Sequence, residues 1–193
     1  MESDRFAHPT YVVRRKVLKI FGGAFHVYDP DGNVTLFANM KAFKLKEDIR
    51  LYTGEDMAEE VLSIHARKII DFSSAYDVFD SQAGQKIGAL KRRGWKSLMR
   101  DEWIVMDTED HDMATIREDS MFLALARRLF SNLIPQRFHC EVGDTLVCTF
   151  KQNFNPFVLK LKVDFTPDLD GLLDRRLGLA AAVLLSAIEG RQG

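Results

Sequence analysis

Three periodicities divide this chain. From Tyr11 to about Arg117, and again from Phe138 to Phe165, short apolar runs alternate with polar residues or are cut by turn residues. In Val34–Met40, Val34, Leu36, Ala38 and Met40 share one face while Thr35 and Asn39 take the other, the period of a strand. The stretch 157–165 alternates as cleanly, with Leu159, Leu161, Val163 and Phe165 against Lys160, Lys162 and Asp164. Between the two β-rich regions the spacing changes. Phe122, Leu125, Leu129 and Leu133 recur at helical intervals, Asp119 or Ser120 can cap the start and Pro135 stops it, which predicts an amphipathic helix near 119–134. At the end the polar face disappears. From Leu177 to Ile188 only Gly178 and Ser186 are not apolar, and a helix apolar on every side must be buried.

The predicted strands begin with Tyr11–Ile20. Phe25–Tyr28 and Val34–Met40 then flank "DPDGN", the strongest local hairpin signal in the chain. Phe43–Leu45, Ile49–Tyr52, Val61–Ile64, Ala75–Phe79, Lys86–Leu90, Trp103–Met106 and Ala114–Arg117 follow, with a helical turn expected at "GEDMAEE" and hairpin tips at "DSQAG" and "DTEDHD". Phe138–Val142, Thr145–Gln152 and 157–165 complete a set of about twelve strands. Short strands this dense predict a meandering sandwich or barrel. An antiparallel sheet that closes on itself needs filling, because larger barrels otherwise enclose a cavity, and the terminal helix is the available filler. A membrane is the other place to bury it. A span takes about 20 predominantly apolar residues, whereas this uncharged run is nearer ~12, the length of a core helix. Asp168, Asp170 and Asp174 suit the positive end of its dipole, and Gly190 lies where a terminating glycine belongs.

Composition adds bounds. The 193 residues suffice for one domain with a substantial core, and 46% hydrophobic with 28% charged residues is ordinary for a globular protein. A formal net charge of −1 gives no global reason to expect nucleic acid, so a charge-driven partner must use a local patch. Cys140 and Cys148 form no CxxC and read as reduced structural thiols of a cytoplasmic protein. The start "MESDRFAHPTYVVRRKV" lacks a secretory pattern, so export is not expected.

With these elements in place, the chain resembles the superfamily of tubby C-terminal domains, phospholipid scramblases and LURP-one-related proteins. "FHVYDPDGNVTLFA" is similar to that group's early hairpin, and "EEVLSIHARKIIDFSSAYDVFDSQAGQKIGALKRR" to its strand, basic residues, strand, "yD-x-x-G" turn and "iG-x-i-k-r" sequence. "FTPDLDGLLD" then runs into the terminal helix. The resemblance covers roughly residues 10–188, with little carried by 119–157. It implies a mainly β fold: a closed, antiparallel barrel of about twelve strands around a hydrophobic C-terminal helix. The expected organisation is one domain over 1–193, with 1–10 as a flexible lead and 168–190 as the central helix. Scramblase features are mostly missing, there being no proline-rich extension and no cysteine cluster suited to palmitoylation.

The strongest binding hint is the basic run Lys86, Lys91, Arg92, Arg93, Lys96 and Arg100, with Trp95 inside it. Tubby domains bind phosphoinositide headgroups through basic barrel residues, and the resemblance implies the same chemistry here. Lys and Arg meet phosphate oxygens through charge-assisted hydrogen bonds. The plainer alternative is a solvated turn whose charges keep strand edges apart. Arg14, Arg15 and Lys16 make a second, weaker cluster. By resemblance to the acidic stretch of scramblases, Asp168 and Asp170 are candidate calcium ligands, although the loop pattern D-x-[DN]-x-[DN]-G-x₅-E is absent and helix capping accounts for the same residues.

No GxSxG, Walker-type loop, GxGxxG or HExxH occurs, and His8, His26, His65, His111 and His139 are scattered. His139 and Cys140, being adjacent on a strand, point to opposite faces and do not make a nucleophile pair. The expectation is a non-enzymatic, cytoplasmic binding or scaffold module without a cofactor. Its expected partners are an anionic phospholipid headgroup, met peripherally, or a protein, and not nucleic acid. The alternative is a scramblase-like membrane protein whose terminal helix enters lipid.

Overall fold

Alternation at period two dictates that each strand bury one face, and the chain satisfies this by wrapping the strands into a ring. The computed structural model describes residues 5–16, 23–40, 48–67, 75–93, 102–119, 135–153, 155 and 158–188. Twelve strands follow one another: β1 (Thr10–Lys16), β2 (Gly23–Tyr28), β3 (Val34–Met40), β4 (Asp48–Tyr52), β5 (Glu60–Ala66), β6 (Ala75–Asp80), β7 (Gln85–Arg92), β8 (Glu102–Met106), β9 (Asp112–Glu118), β10 (Arg137–Val142), β11 (Thr145–Gln152) and β12 (Val158–Asp164). Each pairs antiparallel with its sequence neighbours, and β12 returns to β1, Tyr11 opposite Val163 and Val13 opposite Leu161, to close the barrel. In β12, Leu159, Leu161 and Val163 are buried while Lys160 and Lys162 are exposed, as their alternation predicts.

The turns follow their chemistry. In "DPDGN", Gly32 takes φ +86° and Asp29 accepts hydrogen bonds from the Gly32 and Asn33 amides. "GEDMAEE" differs from expectation. Instead of a helical turn it makes a tight loop between β4 and β5, with Met57 in the left-handed region at φ +53° and its amide donating to Gly54 O. The predicted strand at 43–45, the end of the first strand at 17–20 and the amphipathic helix over 120–134 lie outside the described residues.

Inside the ring runs α1 (Arg175–Ile188), of which every residue from Leu177 to Ala187 is buried. It touches β1, β12 and β7, and β1 and β7 stand six places apart in the ring of twelve, on opposite walls. A helix in contact with opposite walls lies between them. Small residues make the fit possible: a Cβ on Gly178 would come within 2.5 Å of the Phe165 ring, and one on Gly88 of β7 would meet Leu177 at 2.9 Å and the Met106 carbonyl at 2.5 Å. The helix begins at Arg175 rather than 168, because Asp168 folds back to accept the Leu172 and Leu173 amides at 2.8 and 3.0 Å and Gly171 turns the chain at φ +66°. Asp174 is the cap, its Oδ1 accepting the Arg176 amide at 2.9 Å. At the other end Arg15 of β1 donates to Ser186 O at 2.9 Å, a cation on the helix's negative end. Gly190 lies outside the described residues.

Residues 5–9 of the lead lie against the barrel. The Tyr11 hydroxyl donates to Arg5 O, the Phe165 amide donates to Pro9 O, and Arg175 Nη1 donates to the carbonyls of Phe6, Ala7 and His8. These backbone acceptors of the lead are met by β1, α1 and the residue after β12.

Candidate functional site

Barrel closure separates the members of the predicted basic run. Lys86 is the second residue of β7, and its Nζ lies 2.7 Å from Asp110 and 3.3 Å from Asp77. Arg67 completes the group, with a two-point contact to Asp77 at 2.6 and 3.0 Å and a further one to Asp110 at 2.5 Å. Asp110 reaches in from the β8–β9 hairpin with φ +70°. Burial pushes the Asp77 carboxyl up, but the hydrogen bonds and charges of Arg67 and Lys86 outweigh it and hold the group below its ordinary value. Asp110 is lowered chiefly by its hydrogen bonds to Arg67 and then Lys86. Two cations between two carboxylates form a lock joining β5, β6, β7 and the β8–β9 hairpin, with little charge left for an anion.

The rest of the run sits at the other end of β7. Lys91 is exposed, with no carboxylate at ion-pair distance among the described residues; Arg92 is half-buried; and Arg93, more than half exposed, meets Glu102 at 2.7 Å. Trp95, Lys96 and Arg100 lie outside the described residues. In a ring of consecutive antiparallel strands, β1 and β7 run the same way, so Arg14 and Arg15 reach the same rim on the opposite wall. Arg15 is held there by the helix carbonyl and by the Phe25 ring, 5.7 Å from its guanidinium. The rim is thus basic on two sides.

At the opposite end, where α1 enters the barrel, a cleft of about 370 Å³ opens. The lead contributes Arg5 and Phe6, the β5–β7 region Val61, Asp80 and Gln82, and the helix start Asp174, Arg175 and Arg176. Arg176 is clamped, 2.6 Å from Asp80 and 2.6 to 3.1 Å from Asp174. Its hydrogen bonding to Asp174 holds it above its usual value. Asp80 also accepts the Gln82 and Ala83 amides. Arg175 lies against the Phe165 ring at 5.9 Å with Nη1 on the lead's carbonyls. Nothing in the sequence announces this cleft beyond paired arginines directly behind a capping aspartate, because its lining comes from distant parts of the chain.

The acidic candidates behave as caps. Both Asp168 oxygens accept backbone amides, and Asp170 is exposed. Among the described residues no group of three His, Cys, Asp or Glu side chains is placed to hold a metal ion.

One arrangement resembles hydrolytic machinery. His65 Nε2 lies 3.0 Å from Ser63 Oγ and its Nδ1 3.4 Å from Asp48 Oδ1, the order of nucleophile, base and orienting carboxylate. Ser63 is 5% exposed in the middle of β5, a strand paired on both sides, so its backbone has no spare N–H to receive an oxyanion. The arrangement reads as a hydrogen bond along β5 between His65 and Ser63, with Asp48 of β4 near the ring but making no hydrogen bond through Oδ1. Cys140 and Cys148 are free, buried and opposite one another on β10 and β11. Burial pushes the Cys140 thiol up to about 12 and raises Cys148 well above its ordinary value, the reverse of a nucleophilic cysteine. His139 stays at the surface with Nδ1 2.6 Å from Asp119, away from both thiols.

A family model described as LURP-one-related matches residues 34–186. Among solved structures, the X-ray structure of a protein from Arabidopsis thaliana is similar with a TM-score of 0.52 at 15% identity, over 94% of this chain and 93% of that one, a likeness of fold. No curated protein matches the chain.

Proposed function

The chain belongs to the LURP-one-related family, and from that premise we propose that it is a non-enzymatic binding or scaffold module receiving an anionic, phosphoinositide-like headgroup at the rim formed by Lys91, Arg92 and Arg93. The observation that carries this reading is Lys91, exposed at the end of β7 beside Arg93 and without a described carboxylate partner. Arg14 and Arg15 supply positive charge across the same rim. Each Lys or Arg near an anionic membrane surface contributes about 1 kcal/mol. A small basic rim therefore suits peripheral contact from the cytoplasmic side. The buried thiols and the inaccessible Ser63 support the non-enzymatic part of the reading. The scramblase-like alternative requires α1 to leave the barrel for lipid. No described helix is long and apolar enough to cross a membrane, and α1 has 14 residues where a span takes about 20.

Sedimentation with vesicles tests the proposal. The protein should pellet with phosphatidylcholine vesicles doped with a phosphoinositide and stay in the supernatant with phosphatidylcholine alone. Replacing Lys91 and Arg93 together by Ala should lower the partition roughly thirtyfold, two contributions of about 1 kcal/mol each. Equal pelleting with both vesicle types would overturn the reading.

A further inference from the structure

We infer that the cleft where α1 enters the barrel is a binding site for a small soluble carboxylate bearing an apolar group. This site is at the other end of the molecule from the basic rim and does not rest on the rim's function. Its case begins with charge. Among the described residues, Arg5, Arg175 and Arg176 line the cleft with only Asp80 and Asp174 to balance them. Both carboxylates are already committed to Arg176 and to backbone amides. The surplus positive charge belongs to Arg5 and Arg175, neither of which has a carboxylate partner among the described residues.

Donors are available where the charge is. The Arg5 side chain has no described hydrogen-bond partner, and its Nε is buried beside the cleft without one. Its Nη1 and Nη2 are not buried in this way and have no described partner either, so they are the Arg5 donors a ligand in the cleft meets. Arg175 gives Nη1 to the lead's carbonyls and leaves Nε and Nη2 for a ligand. Contact with the Phe165 ring and those carbonyls fixes its plane in advance, which reduces the ordering cost of binding.

The same features select the anion. A guanidinium edge matches a carboxylate in two parallel hydrogen bonds. The surplus of one positive charge among the described lining residues balances a monoanion, whereas a phosphate monoester approaching two negative charges brings its excess up against Asp80 and Asp174. Phe6 and Val61 offer an apolar wall, so the carboxylate's substituent is apolar as well. The volume of about 370 Å³ suits a small molecule.

The test is an NMR titration of the full chain with benzoate, and with benzyl alcohol as a ring of similar size without charge. Benzoate should shift the side-chain N–H signals of Arg5 and Arg175 and the Val61 and Gln82 amides saturably, and benzyl alcohol should not. Arg5→Gln should weaken benzoate binding about tenfold, the effect of a lost hydrogen bond to a charged group. The Arg5 side chain makes no described hydrogen bond or ion pair, so this variant keeps the fold where Arg175→Gln releases the lead. The Lys91→Ala variant should bind benzoate like the parent chain, which separates this site from the rim. Equal shifts with benzoate and benzyl alcohol, or an Arg5→Gln variant of unchanged affinity, would overturn the proposal. Inorganic phosphate displacing benzoate at equal concentration would overturn the assignment to a carboxylate.

Discussion

Lys86 shows how far a charged residue's neighbours in sequence are from its neighbours in space. In the sequence it belongs to a basic run, yet in the barrel it faces Asp77 and Asp110 and joins Arg67 in a lock. The signal that separates it from Lys91 is one carboxylate on strand β6 and another in the β8–β9 hairpin, which no local motif reveals. The lock predicts a pH dependence whose sign is fixed. Asp77 and Asp110 are held below their ordinary value of 3.8 in the folded chain. A carboxylate lowered on folding stabilises above its unfolded value, and that contribution drains away as pH falls through the lower folded value. At neutral pH Asp77→Asn should therefore cost on the order of 1 kcal/mol in urea unfolding. Below pH 3.8 the difference from the parent chain should shrink toward zero. A gap that stays constant from neutral to acid pH would show that Asp77 acts through packing and not through its charge.

At the scale of elements, what was legible is what depends on local period. β12 shows its buried and exposed faces in its own alternation, and β11 (Thr145–Gln152) coincides with its predicted bounds. Helix α1 is legible as an apolar run, but its start is not. The acids from Asp168 to Asp174 read as an approach already within the helix, whereas Asp168 and Gly171 make a separate turn before Asp174 caps the first residue. That distinction decides between the two readings of the acidic segment. As a turn anchor, Asp168→Ala should cost roughly 1–3 kcal/mol with or without calcium, because two amides lose their acceptor. Asp170→Ala, at an exposed position, should stay within about 0.5 kcal/mol of the parent chain. Thermal melts of both variants in calcium and in chelator make the comparison. A calcium-dependent loss shared equally by the two would favour a metal site instead.

The whole molecule depends on a relation that no segment carries by itself: strands at the two extremes of the chain, β1 and β12, must pair for the ring to close, and the ring must close around α1. Enclosure was legible indirectly, since a helix without a polar face needs walls on every side. The cleft was not, since closure alone brings Arg5 and Val61 to Arg175. The same logic makes α1 the part without which the barrel cannot stand. Its five larger buried side chains, Leu177, Leu179, Val183, Leu184 and Leu185, each gain about 1.5–3 kcal/mol on burial, together on the order of 10 kcal/mol even as an upper estimate. That matches the entire net stability of a typical domain, about 5–15 kcal/mol. Removing the helix also strips the lining of β1, β7 and β12 of its contacts, leaving a hollow too apolar for water to fill favourably. A chain ending at Asp174 should therefore lack a cooperative unfolding transition and bind a dye for exposed apolar surface, with its strands collapsed or aggregated. Adding a peptide of residues 175–188 during refolding should restore the transition, as a ligand that binds only the closed ring would. A monomeric, cooperatively unfolding barrel in the truncated chain would mean that the strands hold one another without the helix, and that α1 is free to serve another purpose.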